Sequence, residues 1–252
     1  MSLWTILSTA CAPISMELNR YGGCTGGGAK LLLTSTSEVY GKNTADALAE
    51  DSDRILGSPL KSRWTYAAAK GIDKAFAHAY WQQFGLEVTI VRLFNTVGPR
   101  QTGRYGMVVP NLIGQALRGA PMTVFGDGAQ TRCFSYVTDV VPAIIAIAEH
   151  PDAYGQAINL GSAQEVSILN LAKRIKQLLD SQNEIVLVPY EAAYAAGFED
   201  MRRRVPDNSR AYSLVGFKPV TSLDDIILNV AASMQALTPA ASVMAPGAAF
   251  PS

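Results

Sequence analysis

The segment KLLLTSTSEVYG, residues 30–41, decides the fold class, because an apolar run, Leu31 to Leu33, is followed directly by turn-forming hydroxyl residues. Such a run is typical of a strand buried on both faces of a parallel sheet. A second one covers residues 88–93, and residues 66–84 between them lack proline and space their apolar side chains as a helix does. Strand, helix and strand in this order predict a parallel βαβ unit.

The rest of the chain alternates between the same two kinds of pattern. Ser167 is the predicted N-cap of one helix, and Ser222 to Asp225 resembles a capping box ahead of another, with Asp in place of Glu or Gln. Strands are predicted at 122–125, 133–137 and 157–160, and helices at 109–117, from Asp139 onward, at 167–179 and at 226–237.

Composition limits the class of function. The 252 residues carry 21 basic and 21 acidic side chains, so the formal net charge is zero. Because nucleic-acid binding depends on clustered, uncompensated Lys and Arg, we expect no nucleic-acid partner. The longest apolar run, Val140 to Ala148, is too short to span a membrane, and no basic residue precedes Arg20 as it would in a signal peptide. We therefore expect a cytoplasmic protein without a membrane partner.

Histidine and cysteine are too sparse for the usual metal sites. The two histidines, His78 and His150, have no companion at metal-ligand spacing, and the three cysteines, Cys11, Cys24 and Cys133, form no CxxC pair. We expect neither a metal nor a disulfide framework, so catalysis must use other groups.

Tyr66 and Lys70 are the first candidates for chemistry. They lie four residues apart on a predicted helix, so both project from one face. A free tyrosine has a pKa of about 10, and a cation about 4 Å away supplies roughly the free energy needed to bring such a pKa toward neutrality. The alternative is a surface tyrosine beside a solvated lysine, which is what most isolated YxxxK matches are.

The hydroxyl residues 34–37 favour the chemical interpretation. They follow the first buried strand directly, and open parallel sheets bind their ligands beyond the carboxyl ends of the strands. An ordinary Ser/Thr-rich turn is the alternative for this segment.

Five motifs together are highly specific: Ser35 to Gly41, Tyr66 to Lys70, Arg92 to Arg100, Val124 to Gly128 with Thr131 and Arg132, and Arg202 to Asp207. Their order resembles the NAD-dependent epimerase/dehydratase family, the extended short-chain dehydrogenases that act on nucleotide sugars. The resemblance covers residues 30–237. It implies an α/β fold, an incomplete Rossmann-type doubly wound parallel sheet with a smaller C-terminal α/β lobe that binds the substrate.

The resemblance also implies catalytic and cofactor residues. Tyr66 would be the catalytic base, Lys70 would hold the nicotinamide ribose, and Thr36 would bond the sugar hydroxyl that is oxidised. Glu38 completes the catalytic set. The cofactor would be NAD, since no side chain can supply a hydride, and the residues that would bind it are Tyr66, Lys70, Thr34 and Thr96.

The implied substrate is a nucleoside diphosphate sugar, most often a UDP-sugar. An arginine guanidinium can form two hydrogen bonds to the oxygens of a phosphate and stays charged, and this holds in any protein family. For residues 202–204 the alternative is a solvated charge run balanced by Glu199 and Asp200. A homodimer is also implied, and the substrate-binding residues would be Asn95, the backbone near Val109, Phe125, and a diphosphate clamp of Arg132, Arg204 and Arg203.

The sequence departs from the family at its beginning. Members open with a strand, a GxxGxxG loop and a helix whose N-terminus binds the pyrophosphate. Gly23 to Gly28 looks similar, but no apolar strand precedes it, so we expect a connection there and not a phosphate loop. The comparison with the family pattern implies that the glycine-rich cofactor portion and the first two or three βα units are missing.

The expected organisation has four parts. Residues 1–29 are poorly specified, and residues 30–95 are the remnant of the Rossmann domain with the catalytic Thr and the YxxxK pair. Residues 96–237 form the nucleotide-sugar-binding lobe, interleaved with the last Rossmann elements, and residues 238–252 form a disordered tail.

Ser37 and Glu38 limit the type of reaction that the resemblance implies. Family dehydratases usually carry Asp-Glu after the threonine, so the resemblance disfavours elimination of water. Thr36-Ser37-Glu38 is similar to UDP-glucuronate decarboxylases, where Glu38 would orient or protonate the sugar, although these enzymes usually place an Arg where Met107 stands. A 4-epimerase needs no such residue. The sequence therefore leaves three hypotheses: a decarboxylase, an epimerase, and a truncated, inactive fragment that binds nucleotide sugars.

Overall fold

The computed structural model describes residues 4–7, 29–101, 107–193, 199 and 201–237. Its strands are β1 (Trp4–Leu7), β2 (Lys30–Thr36), β3 (Val88–Leu93), β4 (Thr96–Val97), β5 (Met122–Phe125), β6 (Thr131–Cys133), β7 (Ser135–Tyr136), β8 (Ala157–Leu160), β9 (Glu165–Ser167) and β10 (Ile185–Val188). Its α-helices are α1 (Thr65–Phe84), α2 (Val108–Leu117), α3 (Val137–Glu149), α4 (Ile168–Leu178), α5 (Tyr190–Ala193), α6 (Ser209–Val215) and α7 (Leu223–Leu237).

Within the described residues, the central sheet has four parallel strands in the order β1-β2-β3-β8. The expected βαβ unit is confirmed, because α1 connects the parallel neighbours β2 and β3 and packs on one face of the sheet. Helix α1 ends at Gly85, whose φ of +66° is the left-handed conformation that glycine adopts without a steric penalty. The core on this face contains Leu31, Leu33, Ala77, Val88 and Ile90.

The opposite face of the sheet is covered by α3 and α6. Strand residues such as Leu32, Val91 and Ile158 pack there against Val140 and Ile147 of α3. A parallel sheet covered on both faces explains why its strands read as continuous apolar runs without alternation. The predicted α/β class with a Rossmann-type sheet is confirmed.

A second core belongs to the smaller C-terminal part. Helices α2 and α4 pack against β5, which pairs with β10 in a parallel two-stranded sheet, and α7 packs against both of these helices. The fully buried residues at its centre include Leu112, Met122, Leu171, Ile175 and Ile226. None of the helices within the described residues is long and apolar enough to cross a membrane.

The structure differs from the sequence prediction in several places. Trp4–Leu7 forms an edge strand parallel to β2, although residues 1–29 were expected to lack a defined element and no strand was expected before the glycine run. Four residues are too few for periodicity to identify a strand. The strand predicted at 133–137 is divided into β6 and β7, and α3 begins at Val137, ahead of Asp139. The sequence analysis also missed β9, β10 and α6.

Two other expectations fall outside the described part of the chain. The glycine run Gly23 to Gly28 and the tail 238–252, expected to be disordered, are not among the described residues.

Ser167 is confirmed as the N-cap of α4, because its Oγ accepts a hydrogen bond from the backbone N–H of Asn170 at 3.2 Å. We expect Ser167→Ala to lower the free energy of unfolding by about 1 kcal/mol, since this donor loses its partner. Urea denaturation measures the change. Ser213→Ala, an exposed position inside α6, is the control, and equal losses in the two variants would contradict the cap's contribution.

Candidate active site

Tyr66 and Lys70 lie where α1 crosses the carboxyl end of β2. Tyr66 is in the first turn of α1 and 37% exposed, whereas Lys70, one turn later, is only 4% exposed. The Lys70 ammonium donates to the carbonyl oxygen of Thr34 at 3.3 Å and lies 3.5 Å from Oδ2 of Asp73. The lysine is therefore not solvated, which removes the alternative interpretation of the pair as a surface tyrosine beside a solvated lysine.

Thr36 closes β2 and caps a short 3-10 helix, Ser37–Tyr40. Its Oγ1 accepts a hydrogen bond from the backbone N–H of Glu38 at 3.2 Å. This bond uses a lone pair of the hydroxyl and leaves its proton available for donation to a ligand. The segment is thus an ordered cap at the end of a strand, in the position where open parallel sheets bind ligands.

Glu38 is held between two arginines. Its Oε2 accepts from Arg63 and its Oε1 from Arg204, each at 2.5 Å. Burial raises the pKa of Glu38, but the charge of Arg204 and the bond and charge of Arg63 outweigh it and hold that pKa below its usual value. Glu38 is therefore ionised at neutral pH in this arrangement, which suits orientation of the arginines better than donation of a proton.

Arg204 lies against the 3-10 helix that follows Thr36. It is 7% exposed, and besides Glu38 it contacts Oγ of Ser37 at 3.3 Å and Oδ1 of Asn95 at 3.5 Å. Its Nε is buried and has no hydrogen-bond partner among the described residues. A guanidinium with a donor to spare at this position can hold an anionic group of a ligand.

Arg132 and Arg203 lie beside the neighbouring antiparallel pair β6 and β9. Arg132 is buried and donates to the carbonyl oxygen of Thr131 at 2.8 Å, while Nε of Arg203 donates to Glu165 of β9 at 2.8 Å. Burial and the charge of Glu165 raise the pKa of Cys133 to about 12, although the charges of Arg203, Arg132 and Arg204 oppose this rise. The arginines thus lie near a buried thiol that stays protonated.

Arg202 is different from its two neighbours. It is highly exposed and pairs with Asp127 at 2.9 Å on the surface. The alternative interpretation of residues 202–204 as a solvated charge run therefore describes Arg202 alone.

Asn95 and Thr96 lie at the carboxyl end of β3. Asn95 has a φ of +25° and donates from Nδ2 to the carbonyl oxygen of Cys133 at 3.0 Å, so it links the two arginine-bearing regions. Thr96 Oγ1 is buried without a hydrogen-bond partner among the described residues. It borders a cavity of about 240 Å³ lined by residues 96–101 and Val137. An unpartnered hydroxyl beside a cavity is available to a ligand.

Val109 and Phe125 lie in the smaller part of the structure. The Val109 side chain is 1% exposed and belongs to the core, so only its backbone could contact a ligand, as the sequence analysis expected. Its N–H is in the first turn of α2, where backbone donors have no partner within the helix. Phe125 is half-buried at the end of β5.

The sequence analysis missed Arg63. This residue belongs to a short 3-10 helix, Ser62–Trp64, directly before α1 and bonds Glu38, which lies 25 residues earlier in the chain. No motif contains it. The only signal was its position three residues before Tyr66.

Two of the described residues could hold one end of NAD. Lys70 is buried at the end of β2, and among the described residues its ammonium donates to the Thr34 carbonyl oxygen and lies near Asp73, so it could also donate to a ribose hydroxyl beside Tyr66. Within the described ranges, no glycine-rich turn joins a strand directly to an α-helix, so they hold no counterpart to a pyrophosphate loop. The fit is confined to the nicotinamide-ribose end.

Among curated proteins, a UDP-N-acetyl-alpha-D-glucosaminuronate decarboxylase of Bacillus cytotoxicus is 45% identical, over 77% of this chain and 60% of the relative. UDP-glucuronic acid decarboxylase 1 of Xenopus tropicalis is 39% identical, over 82% of this chain and 47% of the relative. The chain thus spans between about half and three fifths of the length of these relatives.

Solved structures and family models agree with this relationship. The crystal structure of a UDP-glucuronic acid 4-epimerase from Bacillus cereus in complex with NAD matches with a TM-score of 0.76 and 27% identity, covering 89% of this chain and 67% of that one. The model of the NAD dependent epimerase/dehydratase family matches residues 14–161. With the parallel sheet, the Tyr66 and Lys70 geometry and this match over more than half of its length, the chain belongs to the NAD-dependent epimerase/dehydratase family.

Proposed function

We propose that this chain carries the reaction centre and the nucleotide-sugar site of an NAD-dependent decarboxylase of UDP-sugars that bear a carboxylate, such as UDP-glucuronate. The observation that carries the proposal is the buried Arg204, which bonds Glu38 and contacts Ser37 directly after Thr36, and whose Nε has no hydrogen-bond partner among the described residues. An arginine in this position supplies the cation for a sugar carboxylate that Met107 cannot supply. The two relatives described above are decarboxylases of carboxylate-bearing UDP-sugars, which supports the same reaction class.

The first step assigned to the chain is proton removal. Tyr66, with Lys70 one turn behind it, takes the proton of the sugar hydroxyl at C4 as that carbon is oxidised to a ketone. NAD, when bound beside Tyr66, supplies the hydride acceptor and later the hydride donor. Thr36 donates its hydroxyl proton to the same sugar oxygen, because its lone pair already accepts from the backbone of Glu38.

The second step is loss of the carboxylate. A ketone at C4 makes the sugar a β-keto acid, so the carbon–carbon bond to the carboxylate breaks and its electron pair moves onto the ketone oxygen. Carbon dioxide leaves, a proton adds to the ring carbon, and the ketone is reduced again as Tyr66 returns its proton. Arg204 holds the carboxylate until it leaves, and Glu38, ionised between Arg63 and Arg204, keeps the guanidinium in place.

The nucleotide end of the substrate is assigned to the arginine pair near Cys133. We assign Arg132 and Arg203 to the diphosphate, the backbone at Val109 and the Asn95 amide to the adjoining sugar and phosphate atoms, and Phe125 to the base. Arg203 would exchange its bond to Glu165 for a phosphate, which keeps its charge compensated. This division moves Arg204 from the diphosphate clamp to the sugar carboxylate.

A direct assay tests the reaction. The purified chain is incubated with NAD and UDP-glucuronate, and the products are identified by mass spectrometry and NMR. A product lighter by the mass of carbon dioxide supports decarboxylation. An isomer of unchanged mass overturns it in favour of a 4-epimerase, the candidate supported by the similarity to the Bacillus cereus enzyme.

A third candidate is a nucleotide-sugar-binding fragment without turnover. The observation behind it is the share of the relatives' length that the chain spans, together with the lack of a glycine-rich phosphate turn among the described residues. Calorimetric titration of NAD separates the two: micromolar binding excludes the fragment, and UDP binding without NAD binding overturns turnover by this chain alone.

Arg204→Met is the sharpest variant for the carboxylate assignment. We expect it to lower decarboxylation by about 10²-fold or more, since a preorganised cation at the reacting group is lost. Arg204→Lys keeps the positive charge but cannot form two parallel hydrogen bonds to a carboxylate, so it should recover part of the lost activity. Arg202→Met is the matched control, because its surface pair with Asp127 lies outside the site. Comparable rates for the two methionine variants would contradict the assignment.

A homodimer is part of the proposal. Helix α1 exposes Ile72, Trp81 and Phe84, which are 42%, 36% and 60% exposed, and apolar residues on one helix are available to a second copy. We expect light scattering to give twice the monomer mass and Phe84→Glu to shift the chain toward monomer. A monomer at all concentrations would contradict the dimer. Assemblies larger than a dimer would indicate association through β1, which lies at the edge of the described sheet. Placement in the cytoplasm stays a prediction.

A further inference from the structure

A cluster of polar groups lies between α1 and the sheet, apart from the groups that the proposed reaction uses. Ser35 of β2 and Arg92 of β3 are direct register partners. The alternation of side chains along each strand places them on the face that bears Leu33 and Ile90, which packs against α1. Lys74, one turn after Lys70, belongs to the buried face of α1. Ser35, Lys74 and Arg92 therefore meet in one layer.

Each of these three side chains has a polar atom without a partner. Oγ of Ser35, Nζ of Lys74 and Nε of Arg92 are buried and make no hydrogen bond within the described part of the chain. The side chains are only 5%, 7% and 9% exposed. A buried polar group normally finds a partner, and a buried charge without one is the most costly case. Three such atoms in one layer indicate a group that the described residues do not supply.

The layer also has an excess of positive charge. Arg54 donates to the carbonyl oxygens of Val39 and Ala67, and its guanidinium lies so close over Gly71 that an added Cβ would be 1.9 Å from it. Arg92 donates its other bonds to uncharged acceptors, the Tyr40 hydroxyl and the Glu50 carbonyl oxygen, both at 2.7 Å. Arg54, Lys74 and Arg92 thus lie close together, and no carboxylate of the described residues forms an ion pair with any of them.

The acidic side chains nearby are already engaged. Asp73 lies 3.5 Å from the Lys70 ammonium. The Glu50 carboxylate accepts from the backbone N–H of Asn159 at 2.8 Å and lies 3.9 Å from Arg210. Burial, with repulsion from Arg92 and Arg54, accordingly lowers the pKa of Lys74 to about 6. A negative charge in the layer would reverse this shift.

We propose that Lys74, Arg92 and Ser35 form a binding site for a small monovalent inorganic anion such as chloride. An ammonium, a guanidinium N–H and a hydroxyl are all donors, so a spherical acceptor satisfies the three unpartnered atoms at once. Arg54, which is exposed, forms the solvent-facing side and the route of entry. The ion stabilises the junction of α1 with the sheet, and the site is independent of the reaction proposed above.

Thermal unfolding of the full chain tests the site. The melting temperature is measured in sodium bromide and in sodium gluconate at equal ionic strength, since gluconate is too large for the layer. We expect a saturable rise in bromide, about 5 °C at a concentration a hundredfold above the dissociation constant. Lys74→Met should lose most of this rise. Lys74→Glu, which places a carboxylate beside Arg92 and Arg54, should fold and lose all of it.

The opposite results overturn the site. Equal melting temperatures of the unmodified chain in the two salts would do so, and so would a full bromide response in Lys74→Met. Should Lys74→Glu not fold, Lys74→Met and a bromide-soaked crystal still decide. An anomalous peak within hydrogen-bond reach of Lys74 Nζ and Arg92 Nε supports the proposal, and peaks at surface side chains alone mean adventitious ions only and reject it.

Discussion

Tyr66→Phe should lower turnover of UDP-glucuronate by about 10²- to 10⁴-fold while leaving the affinity for UDP within a small factor of the unmodified chain. The substitution keeps the ring in the first turn of α1 and removes only the phenolic oxygen that is proposed to take the hydroxyl proton. A loss confined to turnover separates the proton-transfer role from a contribution to folding or binding. Steady-state rates, with UDP affinity from calorimetry, measure the two effects.

Tyr212→Phe is the matched control for this variant. Tyr212 lies on α6, is 64% exposed and has no part in the proposed site, so its turnover should be unchanged. Unchanged turnover in Tyr66→Phe as well would show that another group removes the proton. If the unmodified chain has no measurable turnover, the NAD titration decides between the enzyme and the binding fragment.

The pairing of Tyr66 with Lys70 could be predicted because it is local. Four residues on a helix fix the direction of both side chains, whatever the rest of the chain does. What the spacing could not show is that Lys70 is buried, because burial depends on α1 packing across β2. The sequence thus identified the pair, and only the tertiary structure excluded the solvated alternative.

The bond between Glu38 and Arg204 could not be predicted in the same way. The two residues are 166 positions apart, and they meet because the segment after β9 and α4 returns to the end of β2. The resemblance to the family placed Arg204 among phosphate ligands, and nothing in the local sequence distinguishes a phosphate ligand from a partner of a carboxylate. A contact between side chains that are far apart in the sequence can be identified only from the three-dimensional structure.

The burial of Lys74 is a second feature that could not be predicted from the local sequence. Lys74 lies four residues after Lys70 on a helix that also has exposed polar positions, so the sequence alone predicts a solvated side chain. Its inward direction follows from the packing of α1 on β2 and β3, and its neighbours Arg92 and Arg54 come from a strand and a loop. Sequence spacing alone does not predict a conflict of charges in a buried layer.

The second large effect is a pH dependence of stability that originates at Lys74. Burial, then the charges of Arg92 and Arg54, lower its pKa from 10.5 to about 6, with Lys70 also repelling it and Asp73 opposing the shift. Between these two values the unfolded chain holds a proton on Lys74 that the folded chain has released. The unfolded state then binds more protons, so the free energy of unfolding rises with pH across this window.

Lys74→Met should remove that slope and raise stability most at low pH. Below pH 6 both states are protonated and the folded chain carries the whole cost of the buried charge. Methionine fills similar space without a charge, and we expect a gain on the order of 4 kcal/mol at neutral pH, since each unit of pKa displacement corresponds to about 1.4 kcal/mol.

Urea denaturation between pH 6 and pH 10, in a halide-free buffer so that no anion compensates Lys74, measures the gain as a difference from the unmodified chain. Lys173→Met on the exposed side of α4 is the control and should leave the slope unchanged. Parallel profiles for the unmodified chain and Lys74→Met would mean that Lys74 stays protonated in the folded state and has found a partner. The same measurement in bromide then asks whether that partner is the proposed anion, because a bound anion should flatten the profile of the unmodified chain and leave that of Lys74→Met as it was.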